Sequence, residues 1–334
     1  MRYQQFKIER RRNLSYEEFS QEYLFPLKPV IVTDVLREWP AMERWTLDFF
    51  KSEFGMLKFF NYGAEFEPVQ HEYTLAHLID RVRESTEANP APYFRNKVLT
   101  DISSRLLEDI QPLPEYLYPN WIGEHYLVNP VRKILNRGAA IELFIGGTGS
   151  AFPVLHYDGC GSHAFLMQIY GEKEYIFYPP EQEECLYPAP TKLNTSLIDM
   201  SNPDFEKFPL FRNAVPTKFI LKPGEMLFVP SHWWHTARML TPCITLSANV
   251  LNQSNWHELV KYVALKPRHP IVSFASHTYL TGAGAWRVWR DRIKTVIGTG
   301  WVSPPPSDIQ GNSAYSTASK TSGYPKGPKD SLAA

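Results

Sequence analysis

The stretch IELFIGGTGSAFPVLHYDGCGSHAFLMQIYGEKEYIFYPP, residues 141–180, decides the fold. Ile141–Ile145, Phe165–Tyr170 and Glu174–Tyr178 are short apolar or alternating runs bounded by turn-forming residues. The same texture recurs downstream at Thr217–Leu221, Met226–Val229 and Cys243–Asn249. Several such runs with turn signals between them predict a β-sandwich or barrel. The irregular, Pro-rich stretch from Pro179 to Pro216 is too long for a hairpin turn. It reads as an insertion over one mouth of the barrel, where function tends to concentrate.

Within that frame His156 and Asp158 stand two residues apart. On a strand, residues i and i+2 point to one face, so both side chains can address one point. Lys222-Pro223-Gly224-Glu225 is a turn that delivers the run Met226 to Pro230, and Ser231-His232-Trp233-Trp234-His235 follows. His235 thereby brings a third ligand from a neighbouring strand or its end. Two imidazoles and one carboxylate on one face of an octahedron leave three positions open, the facial triad of non-haem Fe(II) oxygenases. Lys173, 15 residues after Asp158, needs an anionic partner if it points inward from an otherwise aromatic strand. With ten His and 35 acidic residues, a His-x-Asp triplet alone arises by chance. The ordered set carries the force: His-x-Asp, Gly-x-Lys with a Pro-Pro corner, then Pro-Gly-x5-Pro-x4-His. His232 is the rival to His235.

Upstream, Ser15 to Glu18 fits a capping box, Lys28–Val32 a short buried strand, and Thr46 a helix cap ahead of Leu47, Phe49, Phe50 and Phe54, with Gly55 as the stop. Thr74 to Val82 has helical pattern, and Asn255 can cap a helix through Leu259, Tyr262 and Val263. Trp286, Trp289, Ile293, Val296 and Ile297 share one helical face, which either packs on its own domain or forms a homodimer interface. The expected organisation is a flanking α/β region at 1–140, a core at 141–250, C-terminal helices at 251–301 and a disordered tail at 302–334.

Charge is balanced, 35 basic against 35 acidic residues, which argues against a dedicated nucleic-acid binder but leaves room for a local basic groove. Cys160, Cys185 and Cys243 form no CxxC pattern and read as reduced thiols. With no apolar signal region and no membrane-length run, the expectation is a soluble chain of the cytoplasm or nucleus, without a membrane partner.

The segments VLHYDGCGSHAFLMQIYGEKEYIFYPP, NPDFEKFP and PGEMLFVPSHWWHTA, with ITLSANV after them, resemble the JmjC and cupin-like Fe(II)/2-oxoglutarate oxygenases, in particular the subgroup of the hypoxia-inducible-factor asparaginyl hydroxylase. A weaker match reaches back through KPVIVTDVLREWPAMERW. The resemblance implies a mainly β fold, a double-stranded β-helix (jelly roll) with flanking helices. It implies Fe(II), O2 and the cosubstrate 2-oxoglutarate, with metal ligands at His156, Asp158 and His235. Lys173 would take the C5 carboxylate, Tyr93 would hydrogen-bond the same group, and Asn249 would lie near the cosubstrate. Where the family carries Thr or Ser three residues before the first His, this chain has Pro153, and either Ser162 or His163 takes the place of an Asn near the cosubstrate. The implied substrate is an amino-acid side chain of a protein or peptide, with Arg95 and Asn96 as contacts. Alternatives within the family are a tRNA base, a small metabolite or methyl-lysine. Outside it stand a catalytically inactive binding module and a Zn or Mn cupin.

Overall fold

Strand β7 (His163–Tyr170) has two apolar faces, and that property organises the molecule. Phe165, Met167 and Ile169 point to one side, Ala164 and Leu166 to the other. The computed structural model describes residues 3–62, 68–122, 141–265 and 270–296. A seven-stranded sheet runs in the order β1 (Glu9–Arg11), β2 (Val30–Val32), β12 (Met226–Val229), β7, β14 (Cys243–Val250), β6 (Ile141–Gly146), β5 (Phe94–Val98). A three-stranded sheet has β8 (Lys173–Tyr178) between β11 (Thr217–Leu221) and β13 (Trp234–Met239). Two hairpins complete the strands: β3 (Lys58–Tyr62) with β4 (Pro68–Thr74), and β9 (Pro188–Ala189) with β10 (Lys192–Ser196). Among the described residues only β1 and β2 pair in parallel; all other ladders are antiparallel. This is the expected jelly roll, and strands recruited from Glu9–Arg11, Val30–Val32 and Phe94–Val98 widen its larger sheet.

The main apolar core lies outside the barrel. Val30, Phe165, Met226, Phe228, Leu143 and Leu246 meet Phe19, Trp39, Trp45, Phe50, Leu78 and Ile79 of the N-terminal helical layer. Burial contributes roughly 1.5–3 kcal/mol for each such large side chain, so this layer carries much of the fold's stability. Its helices start where expected: Ser15 forms a full capping box, Thr46 accepts from the Phe49 amide and Thr74 from the His77 amide. Gly55 closes its helix in right-handed geometry, with a Cβ blocked by the Lys51 carbonyl 2.2 Å away.

Between the sheets, the interior divides in two. One half is an apolar plug of Ile31, Ala164, Phe177, Phe219, Leu227 and Val229. In the other half, β14 turns Thr245, Ser247 and Asn249 inward and β6 turns Glu142 and Phe144 inward, leaving a cavity. The division follows from strict alternation, because Ile244, Leu246, Ala248 and Val250 face the outer core.

The helices Trp256–Leu265 and Pro270–Val296 pack around Trp121 and Leu280. Asn255 does not cap through its side chain as expected: it accepts from the Asn252 amide and donates to the carbonyls of Gly161 and Val250, clamping the loop after Asp158. Trp286 and Trp289 are 54% and 61% exposed, so these two rings are not buried against the described residues of their own domain. Ile297 and the tail 302–334 lie outside the described residues, as do the side chains of Ile293 and Val296. No described helix is long and apolar enough to cross a membrane, and none of the three cysteines is in a disulfide.

Candidate functional site

His156 and His235 are opposite one another in an antiparallel bridge and exchange both main-chain hydrogen bonds, at 3.0 and 2.6 Å. Each Nδ1 lies against the carbonyl two residues back, Val154 at 3.2 Å and Trp233 at 2.9 Å. With Nδ1 so engaged, both Nε2 atoms are left to face the cavity, the arrangement that orients metal-binding imidazoles. Asp158 Oδ2 sits 3.9 Å from His235 Nε2, and one ligand atom from each of the three residues falls within 4.8 Å of the others. Phe152 stacks on the His156 ring at 4.3 Å and fixes its plane.

The electrostatics fit a cation. Burial, with His235 beside it, holds the His156 imidazole well below its usual range, so it is neutral and ready to ligate. Burial likewise raises the Asp158 carboxyl, opposed by His235. A divalent ion among these groups would reverse that penalty on the carboxylate. The donor set, two imidazoles and a carboxylate on one side of an open cavity, suits Fe(II) with positions left for other ligands.

His232 does not join this set. Its backbone is left-handed, at φ +63°, and its Nε2 lies 3.0 Å from Glu258 Oε2 at the rim of the cavity. Neither Ser162 nor His163 faces the cavity either. The Ser162 hydroxyl donates to the Gly159 carbonyl. His163 bridges the Ser254 hydroxyl, at 2.7 Å, and the Ser231 amide, at 2.9 Å, which ties the β12–β13 corner to the strand behind Asp158.

The cavity, of about 920 Å³, extends from the triad to Lys173. The lysine is 4% exposed and donates to the Tyr93 hydroxyl at 2.9 Å, with the rings of Tyr93, Phe144 and Tyr175 at 5.4–5.7 Å from Nζ. Among the described residues no carboxylate lies within ion-pair distance of it, and burial pushes the ammonium down to about 8. Asn249 lines the same cavity, and its Oδ1 is buried without a hydrogen-bond partner. The Pro-rich insertion does cover the mouth. Tyr157 N donates to the Asn194 carbonyl at 3.1 Å and Asn194 Nδ2 donates back at 2.9 Å, so β10 grips the His-x-Asp segment directly.

Sequence reading missed Glu142, which is half-buried in the cavity wall. Its carboxylate accepts from Asn96 Nδ2 at 3.1 Å, while Asn96 Oδ1 is left without a partner. Burial raises the Glu142 carboxyl to about 7. A lone acid in the apolar run IELFI was the available signal. Arg95, beside Asn96, is buried with its guanidinium over the Phe152 ring at 5.2 Å.

A cupin-like domain model matches residues 16–261. The chain belongs to the cupin-like domain family. It is 31% identical over 241 residues to lysine-specific demethylase 8 of Danio rerio, covering 70% of this chain and 55% of that protein. It is 26% identical over 274 residues to the 2-oxoglutarate and iron-dependent oxygenase JMJD4 of Mus musculus, covering 73% and 61%. It is 26% identical over 272 residues to arginine-specific demethylase JMJ20 of Arabidopsis thaliana, covering 73% and 56%. The chain thus spans little more than half the length of these cupin-like relatives.

Proposed function

We propose that this cupin-like chain is an Fe(II)- and 2-oxoglutarate-dependent dioxygenase that hydroxylates an amino-acid side chain in a protein or peptide. The observation that carries the reading is one cavity with His156, Asp158 and His235 at one end and, at the other, a buried ammonium that no described carboxylate neutralises. Bound there, Fe(II) with 2-oxoglutarate would couple O2 reduction and decarboxylation of the cosubstrate to oxidation of a substrate C–H bond. His156, Asp158 and His235 would hold the metal. Lys173 and Tyr93 would bind the C5 carboxylate, and Asn249 would present its buried amide beside the cosubstrate. The aromatic walls keep this end of the cavity dry, which strengthens the Lys173 contact with an anion.

The wall opposite the apolar plug carries acceptors, the Glu142 carboxylate and Asn96 Oδ1, and these favour a substrate side chain that carries N–H donors. The printed activities of two relatives, lysine- and arginine-specific demethylation, support a second reading, N-demethylation. Both begin with hydroxylation at carbon; on an N-methyl carbon the product collapses to formaldehyde and the amine. The exposed Trp286 and Trp289 support self-association through the terminal helix, which sedimentation of the Trp289→Ala variant would test.

The deciding experiment loads the protein with Fe(II) under anaerobic conditions, adds 2-oxoglutarate and then O2, and measures succinate with and without peptide pools. Succinate, with a mass gain of one oxygen on a peptide, is expected. Formaldehyde release would favour demethylation, and no metal uptake and no succinate would favour an inactive binding module.

A further inference from the structure

We infer that the Tyr175 hydroxyl is a third donor to the far carboxylate of the cosubstrate, completing with Lys173 and Tyr93 a cradle made only of donors. The inference rests on the reading above that 2-oxoglutarate occupies this cavity. Tyr175 stands two residues after Lys173 on β8, so the two side chains share the inward face. The ammonium lies 5.4 Å from the ring centroids of both Tyr175 and Tyr93. Tyr93 accepts from Lys173, which leaves its own proton to donate elsewhere, and no described acceptor takes it.

Tyr175 is 1% exposed and its hydroxyl has no hydrogen-bond partner among the described residues. A buried hydroxyl left unsatisfied is costly, and such groups in native proteins call for an explanation. Two threonine hydroxyls of the cavity are already engaged. Thr245 donates to Gln168 Oε1 at 2.8 Å, and Thr236 donates to the Phe152 carbonyl at 3.2 Å. Pro153 brings no hydroxyl. What remains around the ammonium is two phenol protons and the lysine's own, with no described carboxylate to receive them. A carboxylate offers about four lone-pair positions and fits three such donors. A cationic group would leave them unanswered, and a neutral carbonyl has only two lone pairs for three donors.

Tyr175→Phe removes the hydroxyl and keeps the ring, which stacks on Phe219 at 5.8 Å. The full chain, loaded with Mn(II) to prevent turnover, is titrated calorimetrically with 2-oxoglutarate and separately with 2-oxobutyrate, a keto acid without the far carboxylate. The expected result is a loss of about tenfold or more in 2-oxoglutarate affinity, the size of a hydrogen bond to a charged group. The affinity for 2-oxobutyrate should not change. Equal 2-oxoglutarate affinity in both proteins overturns the inference, and so does an equal loss on both keto acids, which would mark a structural role. If the unaltered protein binds no 2-oxoglutarate, the proposed function falls together with the inference.

Discussion

His156 and His235 are held together by their own main chains, with ring centroids 4.5 Å apart and planes tilted by 47°. Because the two backbones exchange hydrogen bonds, the spacing of the ligands is set by strand pairing and not by side-chain flexibility. Asp158 is the member that adds charge, and it arrives on the loop clamped by Asn255. The site is therefore rigid at its imidazoles and dependent on its carboxylate.

Replacing Asp158 with Ala should abolish metal uptake and turnover while leaving the fold intact, since the outer core contains none of the three ligands. Without metal, the thermal midpoint should stay level or rise slightly, because a carboxyl disfavoured by burial has been removed. Saturating Mn(II) should raise the midpoint of the unaltered protein but not of the variant. Conversion of 2-oxoglutarate by the variant at the native rate would sink the ligand assignment.

As the proposed anion anchor, Lys173 should make 2-oxoglutarate binding depend on pH. Burial lowers its ammonium to about 8, so above that pH the free protein loses the charge that an anion needs. The affinity for 2-oxoglutarate should be level below about 8 and fall by up to about tenfold per pH unit above it. Lys173→Ala should bind weakly at every pH and show no such fall. A flat profile in the unaltered protein, measured calorimetrically with Mn(II), would exclude this role.

The barrel and the triad were legible because they rest on local signals: period-two runs, a His-x-Asp pair and a Pro-Gly turn at a fixed distance from His235. Alternation shows that a strand has two faces but not which one borders the cavity. On β14 the apolar face, Ile244 to Val250, turns out to meet the helical layer, while Thr245, Ser247 and Asn249 line the site. Asn249 came from resemblance, and its neighbours two and four residues back followed from the same period without being drawn. Asn255 misled because Asn before an apolar helix is ordinarily a cap, and tertiary contacts to Gly161 and Val250 overrode that preference. The use of Tyr175 could not be read at all, since nothing local distinguishes a satisfied phenol from an orphaned one.

Glu142 predicts a second pH effect, this time on stability. Burial raises its folded carboxyl to about 7 from an ordinary value of 4.5, so between these limits the folded state holds the proton more tightly than the unfolded chain. Its contribution is full below pH 4.5 and is lost as pH rises through about 7. Glu142→Gln, which keeps the shape and an acceptor for Asn96, should flatten that part of the stability curve and be more stable than the parent at pH 8. Urea denaturation at pH 5 and pH 8 measures it. An unchanged pH dependence would show that this carboxyl is ordinarily solvated.

The turn that places Lys173 tests whether register, and not the side chain alone, builds the anion end. Gly171 joins β7 to β8 at φ +73°, and a Cβ there would lie 1.9 Å from the Pro242 carbonyl oxygen. Gly171→Ala therefore combines a left-handed backbone with a steric clash against main chain that cannot rotate away. A destabilisation of ~1–3 kcal/mol is expected from the backbone conformation alone, with the clash adding to it. Relief requires the start of β8 to move away from Pro242, and Lys173 moves with it. His156 and His235 pair with each other farther along the same sheet, where Phe177 opposes His235. Mn(II) uptake should therefore survive while 2-oxoglutarate affinity falls, as read by calorimetry beside a urea melt. Parallel losses of both ligands would mean that the strand moves as one body and that the turn does not position Lys173 separately.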